Sequence, residues 1–311
     1  MGKSIGEKLS SKVTPIVILS YNRPELLRKL IKSIGNNTSS PIIISQDGPK
    51  FESDVEKIKK CIEILEKLEL KSEIEIVVNE NNQGIEKSVT KIVNYAVKKY
   101  GRAIILEDDC MPSKSLIPYL ENALNYFEND LSIGHISGYN AIPIQKFRSQ
   151  VKEIRKSIYP FSWGWATWER AWEHYDSSLE FWSTTEGEAK LEEMGFNILE
   201  KFIWKRNFKL ASEGVIDSWA TRWVSSLWQN NLLSISSNYN LIRYEGKLNG
   251  THSLLPQFYR DLQVKEHNFT FGEYPEIDMF CEKWVSKKQH RCTITGCAVR
   301  VVSDFIKRKI K

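Results

Sequence analysis

Three carboxylates stand in a row at Glu107-Asp108-Asp109, directly after the apolar run Ala103-Ile104-Ile105-Leu106. Such a run suits a strand buried on both faces, and Pro112 forbids its continuation, so charge appears where the strand ends. Ligands of open α/β sheets gather outside the carboxyl ends of the strands. Adjacent carboxylates repel one another and are costly to desolvate, so a positive partner is expected beside them. A hard divalent cation, Mn2+ or Mg2+, with positions left open for phosphate oxygens, meets that need best. The competing reading is a solvated acidic turn that merely ends the strand.

Other polar residues recur at strand ends. Ser20-Tyr21-Asn22-Arg23, Gln46-Asp47-Gly48 and Asn82-Gln83-Gly84 each follow a short apolar run. If the strands are neighbours, these loops converge with the acidic triplet on one edge. Asp217 precedes a tryptophan-rich helix at the place where a carboxylate ordinarily caps free backbone N–H groups. His252 sits in the polar turn Asn249-Gly250-Thr251-His252. There is no Gly-x-Gly-x-x-Gly after the first strand and no Gly-x-x-x-x-Gly-Lys-Ser/Thr, which argues against a dinucleotide site and a P-loop.

The elements that must position these residues follow from periodicity. Pro15 to Leu19, Ile42 to Ser45, Ile74 to Val78 and the run ending at Glu107 read as strands. Between them lie amphipathic stretches, among them one carrying Leu26, Leu27, Leu30, Ile31 and Ile34 at helical spacing. Strand alternating with helix predicts an α/β fold with a mainly parallel sheet covered on both faces. Beyond Tyr139 the alternation fades. Gln145 to Lys156 reads as a basic loop, and Trp165, Trp168 and Trp172 fall at i, i+3 and i+7, as along one face of a helix. They read as an aromatic core stripe, whereas Trp163, next to Gly164, could line a site.

The 311-residue chain is 41% hydrophobic and 27% charged with a net charge of +5, an ordinary globular composition. That charge suits an anionic small substrate and is too small and dispersed to indicate nucleic acid. Met1 to Lys12 lack the apolar segment of a secretion signal and no run is long enough to span a membrane, so a cytoplasmic protein with reduced thiols is expected. Cys281, His290, Cys292 and Cys297 are too irregularly spaced to read as a zinc site. Lys307 to Lys311, after Val299, Val301, Val302, Phe305 and Ile306, reads either as a frayed basic end or as a segment lying on the inner, anionic face of a membrane.

With those residues placed, the chain resembles a GT-A fold glycosyltransferase, that is, a family-2-like bacterial sugar transferase with similarity to the Golgi N-acetylglucosaminyltransferases. The resemblance lies in Pro15 to Pro24 (PIVILSYNRP), Ile43 to Gly48 (IISQDG), the Glu-Asp-Asp form of the Asp-x-Asp motif at residues 107–109, Phe161 to Trp172, and Asp217-Ser218-Trp219. It covers about Val13 to His252. It implies a GT-A type, Rossmann-like mixed sheet, a nucleotide-sugar-binding half over residues 13–138 and an acceptor-side half over 139–280, flanked by a polar segment (1–12) and a basic tail (281–311). It further implies a metal-dependent inverting hexosyl- or N-acetylhexosaminyltransferase that takes a UDP-linked sugar to a glycan or lipid-linked acceptor in surface polysaccharide biosynthesis. Asp109 and His252 would ligate the metal. Asp108 would approach the ribose, Glu107 the donor sugar and Asp47 the base, with Ser20, Asn22, Arg23 and the Gly84 loop nearby. Asp217 matches the catalytic base. A sugar-phosphate nucleotidyltransferase, or a carbohydrate-binding protein on the same fold without chemistry, is the alternative.

Overall fold

The computed structural model describes residues 13–35, 38–147, 152–246 and 262–310, of which 303–310 are described by backbone alone. Its first half is a repeated strand–helix alternation: β1 (Ile16–Ser20), α1 (Pro24–Gly35), β2 (Ile42–Gln46), α2 (Glu52–Glu66), β3 (Ile74–Val78), α3 (Ile85–Tyr100) and β4 (Arg102–Glu107). β5 (Cys110–Pro112), α4 (Leu116–Tyr126) and β6 (Ile133–Ser137) follow. The second half supplies β7 (Ile154–Ser157), β8 (Trp165–Trp168), α5 (Glu169–Trp172), α6 (Thr185–Glu193), α7 (Ile198–Ser212), α8 (Trp219–Gln229), β9 (Leu233–Ser237) and β10 (Ile242–Tyr244). Two further helices, Met279–Trp284 and Ile294–Ile310, lie toward the C-terminus.

Eight strands form one sheet in the order β3-β2-β1-β4-β8-β6-β9-β7. β1 to β4 are mutually parallel, β8 runs antiparallel between β4 and β6, and β6 pairs with β9 in parallel. This is the expected mixed, mainly parallel α/β architecture. The antiparallel β8 joins the two halves of the chain in a single sheet. β5 and β10 form a separate antiparallel ribbon beyond the end of β4.

Alternate strand residues feed opposite faces of the sheet. Ile16, Ile18, Ile42, Ile44, Ile104 and Leu106 pack with the apolar stripes of α1, α2 and α4. Val17, Leu19, Ile43 and Ile105 pack instead with α3, Trp172, Trp219 and Trp223. The aromatic segment departs from the helical reading, because Trp165 and Trp168 lie in a strand. An offset of three along a pleated strand sends them to opposite faces: Trp165 joins the α3 side and Trp168 the α4 side. All three tryptophans are buried, as core residues should be, and Trp163 is buried too, stacked on Tyr244. The loop read over Gln145 to Lys156 ends in strand β7, paired with β9.

His135 on β6 is fully enclosed on the second face. Its Nδ1 accepts the indole N–H of Trp223 at 3.0 Å, its Nε2 lies 3.1 Å from the Phe161 carbonyl, and its ring stacks 5.2 Å from Trp165. Both bonds are made only by the neutral ring protonated on Nε2. Burial pushes its pKa down to about 3, and burial with the nearby Arg300 does the same at His290. Since the unfolded chain takes up these protons near pH 6.5 and the folded protein does not, both histidines make stability fall as the pH drops below that value. The loss is about 1.4 kcal/mol per pH unit for each ring. His135→Phe is expected to shrink the difference in urea-unfolding free energy between pH 6 and pH 5 by about 1.2 kcal/mol, while lowering stability at pH 7 by roughly 1–3 kcal/mol through the unpaired Trp223 N–H.

Candidate active site

The loops after β1, β2 and β4 leave the sheet side by side, because the ladder continues one step past the strands. Asp108 N–H donates to Leu19 O at 3.0 Å, Asp47 N–H to Ser20 O at 2.9 Å, and Asn79 N–H to Gln46 O at 2.9 Å. The residues expected to converge therefore meet at the carboxyl edge of the sheet.

At the centre is Arg23, from the turn between β1 and α1. One guanidinium nitrogen, Nη1, lies 2.8 Å from Asp108 Oδ1 and 2.6 Å from Asp109 Oδ2. The other Asp108 oxygen accepts the Tyr21 backbone N–H at 3.2 Å. The positive partner demanded by the acidic run is thus already present in the chain. Burial pushes the Asp108 pKa up to about 6 although Arg23 pulls it down. Glu107, which has no hydrogen-bond partner among the described residues, is driven to about 8 by burial and by Asp109 and Asp108, against a smaller opposing effect of Arg23. Burial alone would lower the Arg23 pKa, but the two aspartates more than offset it and hold the guanidinium firmly charged.

Around this cluster the other expected residues brace the loops. Ser20 Oγ donates to Gln46 Oε1 at 2.8 Å, and Gln46 Nε2 in turn donates to the carbonyls of Tyr21 and Asp47. Asp54, in the first turn of α2, accepts the Tyr21 hydroxyl and the Asn22 amide at 2.7 Å each, and the Phe51 N–H at 3.0 Å. Burial of Asp54 opposes ionisation, yet these hydrogen bonds outweigh it and lower its pKa. Asp47 is almost wholly buried and accepts from Asn79, Asn82 and the Gln83 N–H, so its carboxylate ties the loop after β3 to the end of β2. Gly48 is enforced by close approach, since a Cβ there would come within 2.5 Å of the Asn81 backbone.

Gly84, at φ +79°, begins α3 in a conformation natural to glycine. A Cβ on it would lie 3.6 Å from Asp217 Oδ2, which places Asp217 beside the loop that Asp47 holds. Asp217 is exposed and accepts no hydrogen bond among the described residues. It is not the cap of α8. Ser218 takes that position, its Oγ accepting the Thr221 N–H at 3.2 Å, which leaves the Asp217 carboxylate one residue outside the helix and open to another partner.

Residues missed in the sequence complete the site. β10 places Tyr244 opposite Cys110 and stacks its ring on Trp163 at 4.7 Å and 9°. Burial and the nearby Asp109 hold its phenol protonated well above the usual range. Glu245 N–H donates to the Asp109 carbonyl at 2.8 Å, so the ribbon fixes the backbone of the acidic turn. No local signal marks Tyr244, because its partner strand lies over a hundred residues earlier. Asp54 could have been found as an acid in the first turn of the helix that follows the IISQDG segment.

Among the described residues no three side chains of metal-ligating type converge, and Cys281, His290, Cys292 and Cys297 form no such group. His252 lies outside the described residues. The acidic turn offers oxygen donors alone, from adjacent carboxylates. That donor set fits Mg2+ or Mn2+ held by one or two carboxylates together with substrate phosphates and water, not zinc in an all-protein cage. The condition is that Arg23 yields the Asp109 oxygen it now occupies. Without Arg23, two buried carboxylates lose their counter-ion. Arg23→Met is expected to cost about 2 kcal/mol in urea unfolding, below the range for a fully buried pair because Arg23 is partly exposed. The triple variant that adds Asp108→Asn and Asp109→Asn should recover much of that loss.

No curated protein matches the sequence. Solved structures of similar form include HddC from Yersinia pseudotuberculosis, at 13% identity and a TM-score of 0.28 over 40% of this chain and 57% of that one. The chain thus spans little more than half the length of HddC. The 4-diphosphocytidyl-2C-methyl-D-erythritolsynthase of Anaerococcus prevotii is similar at 13% identity and a TM-score of 0.39, over 80% of this chain and 95% of that one. Residues 16–185, more than half of the chain, match the family model for glycosyl transferase family 2, and the chain belongs to that family.

Proposed function

We propose that the protein is an inverting glycosyltransferase that moves a sugar from a UDP-linked donor to a hydroxyl of a glycan or lipid-linked acceptor, with Mn2+ or Mg2+ on the diphosphate. The observation that carries this reading is the meeting of Asp108, Asp109 and Arg23 at the carboxyl ends of β1 and β4, beside the loops held by Asp47. Residues 13–138 would bind the donor and residues 139–280 would shape the acceptor side.

In this reading Asp109 holds the metal, with His252 as the further ligand expected from the sequence, and Asp108 accepts from the ribose hydroxyls. Glu107 faces the donor sugar, Asp47 lies toward the base, and Ser20 and Asn22 keep the first loop in shape around the nucleotide. When bound, the cation supplies Lewis-acid stabilisation of the negative charge that develops on the departing diphosphate. Arg23, released from the aspartates, is free to pair with a phosphate oxygen in a charge-assisted bond. Asp217 acts as general base: it takes the acceptor hydroxyl's proton as that oxygen attacks the anomeric carbon and the bond to the nucleoside diphosphate breaks. Its exposure and lack of a competing hydrogen-bond donor among the described residues suit that task.

Two measurements test the assignment. Asp217→Asn is expected to lower transfer from a UDP-sugar by roughly 10²–10⁴-fold while leaving Mn2+-dependent UDP binding nearly unchanged, and Asp109→Asn to weaken that binding itself. Transfer unaffected by Asp217→Asn would remove the base from the scheme. A cation favours ionised carboxylates, so loading must draw protons from Glu107 and Asp108, whose pKa values stand near 8 and 6 without it. The affinity for Mn2+ with UDP is therefore expected to rise from about pH 6 to about pH 8 and then level off. Calorimetry in buffers of different ionisation enthalpy should register proton release at pH 7.

A further inference from the structure

The helix Ile294–Ile310 packs inside out. The side it turns to the body carries buried Gly296 and half-buried Cys297 and Arg300, and Arg300 Nη1 donates to the His290 carbonyl at 2.8 Å. Gly296 seats this contact, since a Cβ there would come within 2.1 Å of the Arg291 carbonyl oxygen. The outer side carries Ile294, Val299, Val301 and Val302, exposed by 77%, 62%, 54% and 59%. An amphipathic helix on a globular protein ordinarily does the reverse.

We propose that this outer face docks on an anionic lipid surface. At 100° per residue these four positions span about 160° of the helix circumference. That is wider than the a/d seam through which two helices pair. Beyond Val302 the sequence sets Lys307, Arg308, Lys309 and Lys311 against the single acid Asp304. A second copy of the chain would bring like charges together, whereas an anionic bilayer accepts both the apolar face and a basic stretch at the end of the helix. No helix among the described residues is long and apolar enough to cross a membrane, which leaves this one to lie in the interfacial plane. The inference does not depend on the reaction catalysed, because none of these residues belongs to the site at the sheet edge.

The test is flotation of the full chain with vesicles of phosphatidylcholine containing about 30% phosphatidylglycerol, and with phosphatidylcholine alone. The wild type should float with the anionic vesicles only, and less as salt rises from about 0.1 to about 0.5 M. Val299→Glu with Val302→Glu should weaken binding roughly tenfold or more, and Lys307→Gln with Arg308→Gln and Lys309→Gln should do likewise. Both positions of the first variant are exposed, and an unchanged melting curve checks that the fold survives. Failure of the wild type to float with anionic vesicles would overturn the proposal, as would equal flotation of the valine variant. So would sedimentation showing a wild-type dimer that the valine substitutions dissociate, since a second copy would then cover the face.

Discussion

The contact between Arg23 and the two aspartates is the constraint on which the rest of the structure turns. Parallel strands buried on both faces can end in consecutive acids only if something positive neutralises them, because desolvated like charges oppose folding. Arg23 supplies that charge from the first turn of the fold, eighty-five residues earlier in the chain. The interaction ties β1 to the end of β4 at the point where the sheet presents its carboxyl edge. It also gives the two aspartates a shared counter-ion from within the chain.

Around this pair the loops are stabilised by one another. Gln46 bonds both Ser20 and the Tyr21 carbonyl, Asp54 draws in Tyr21 and Asn22, and Asp47 gathers Asn79, Asn82 and Gln83. Several of the polar residues proposed to meet a nucleotide thus already serve the scaffold, and the two roles are compatible. A side chain locked by such bonds meets a ligand in fixed geometry and gives up little further freedom on binding. Asp217 contrasts with them, exposed beside Gly84 and displaced from the cap of its helix by Ser218.

The second half of the chain does a different kind of work. Trp165, Trp172, Trp219 and Trp223 build an aromatic layer that closes the sheet on the α3 side, with neutral His135 as its polar centre. The β5–β10 ribbon then carries Tyr244 and Glu245 back to the acidic turn. The match to the glycosyl transferase family 2 model, over residues 16–185, ends before α8 and β9.

The sequence by itself determined the first four strands, their helices, and the polar loops at the strand ends, because those elements are written in local periodicity and each turn announces itself in its own residues. It also showed that the acids at 107–109 need a positive partner. Tertiary structure alone decided that the partner in the free protein is Arg23, that Trp165 and Trp168 face opposite ways, that Ser218 and not Asp217 caps α8, and that Tyr244 reaches the site. All but the cap depend on pairing between segments far apart in the chain; the cap turns on the local backbone at Ser218. A spacing of i, i+3 and i+7 fits a helix, but hydrogen bonding to β4 and β6 outweighs that preference and draws Trp165 to Trp168 into the sheet.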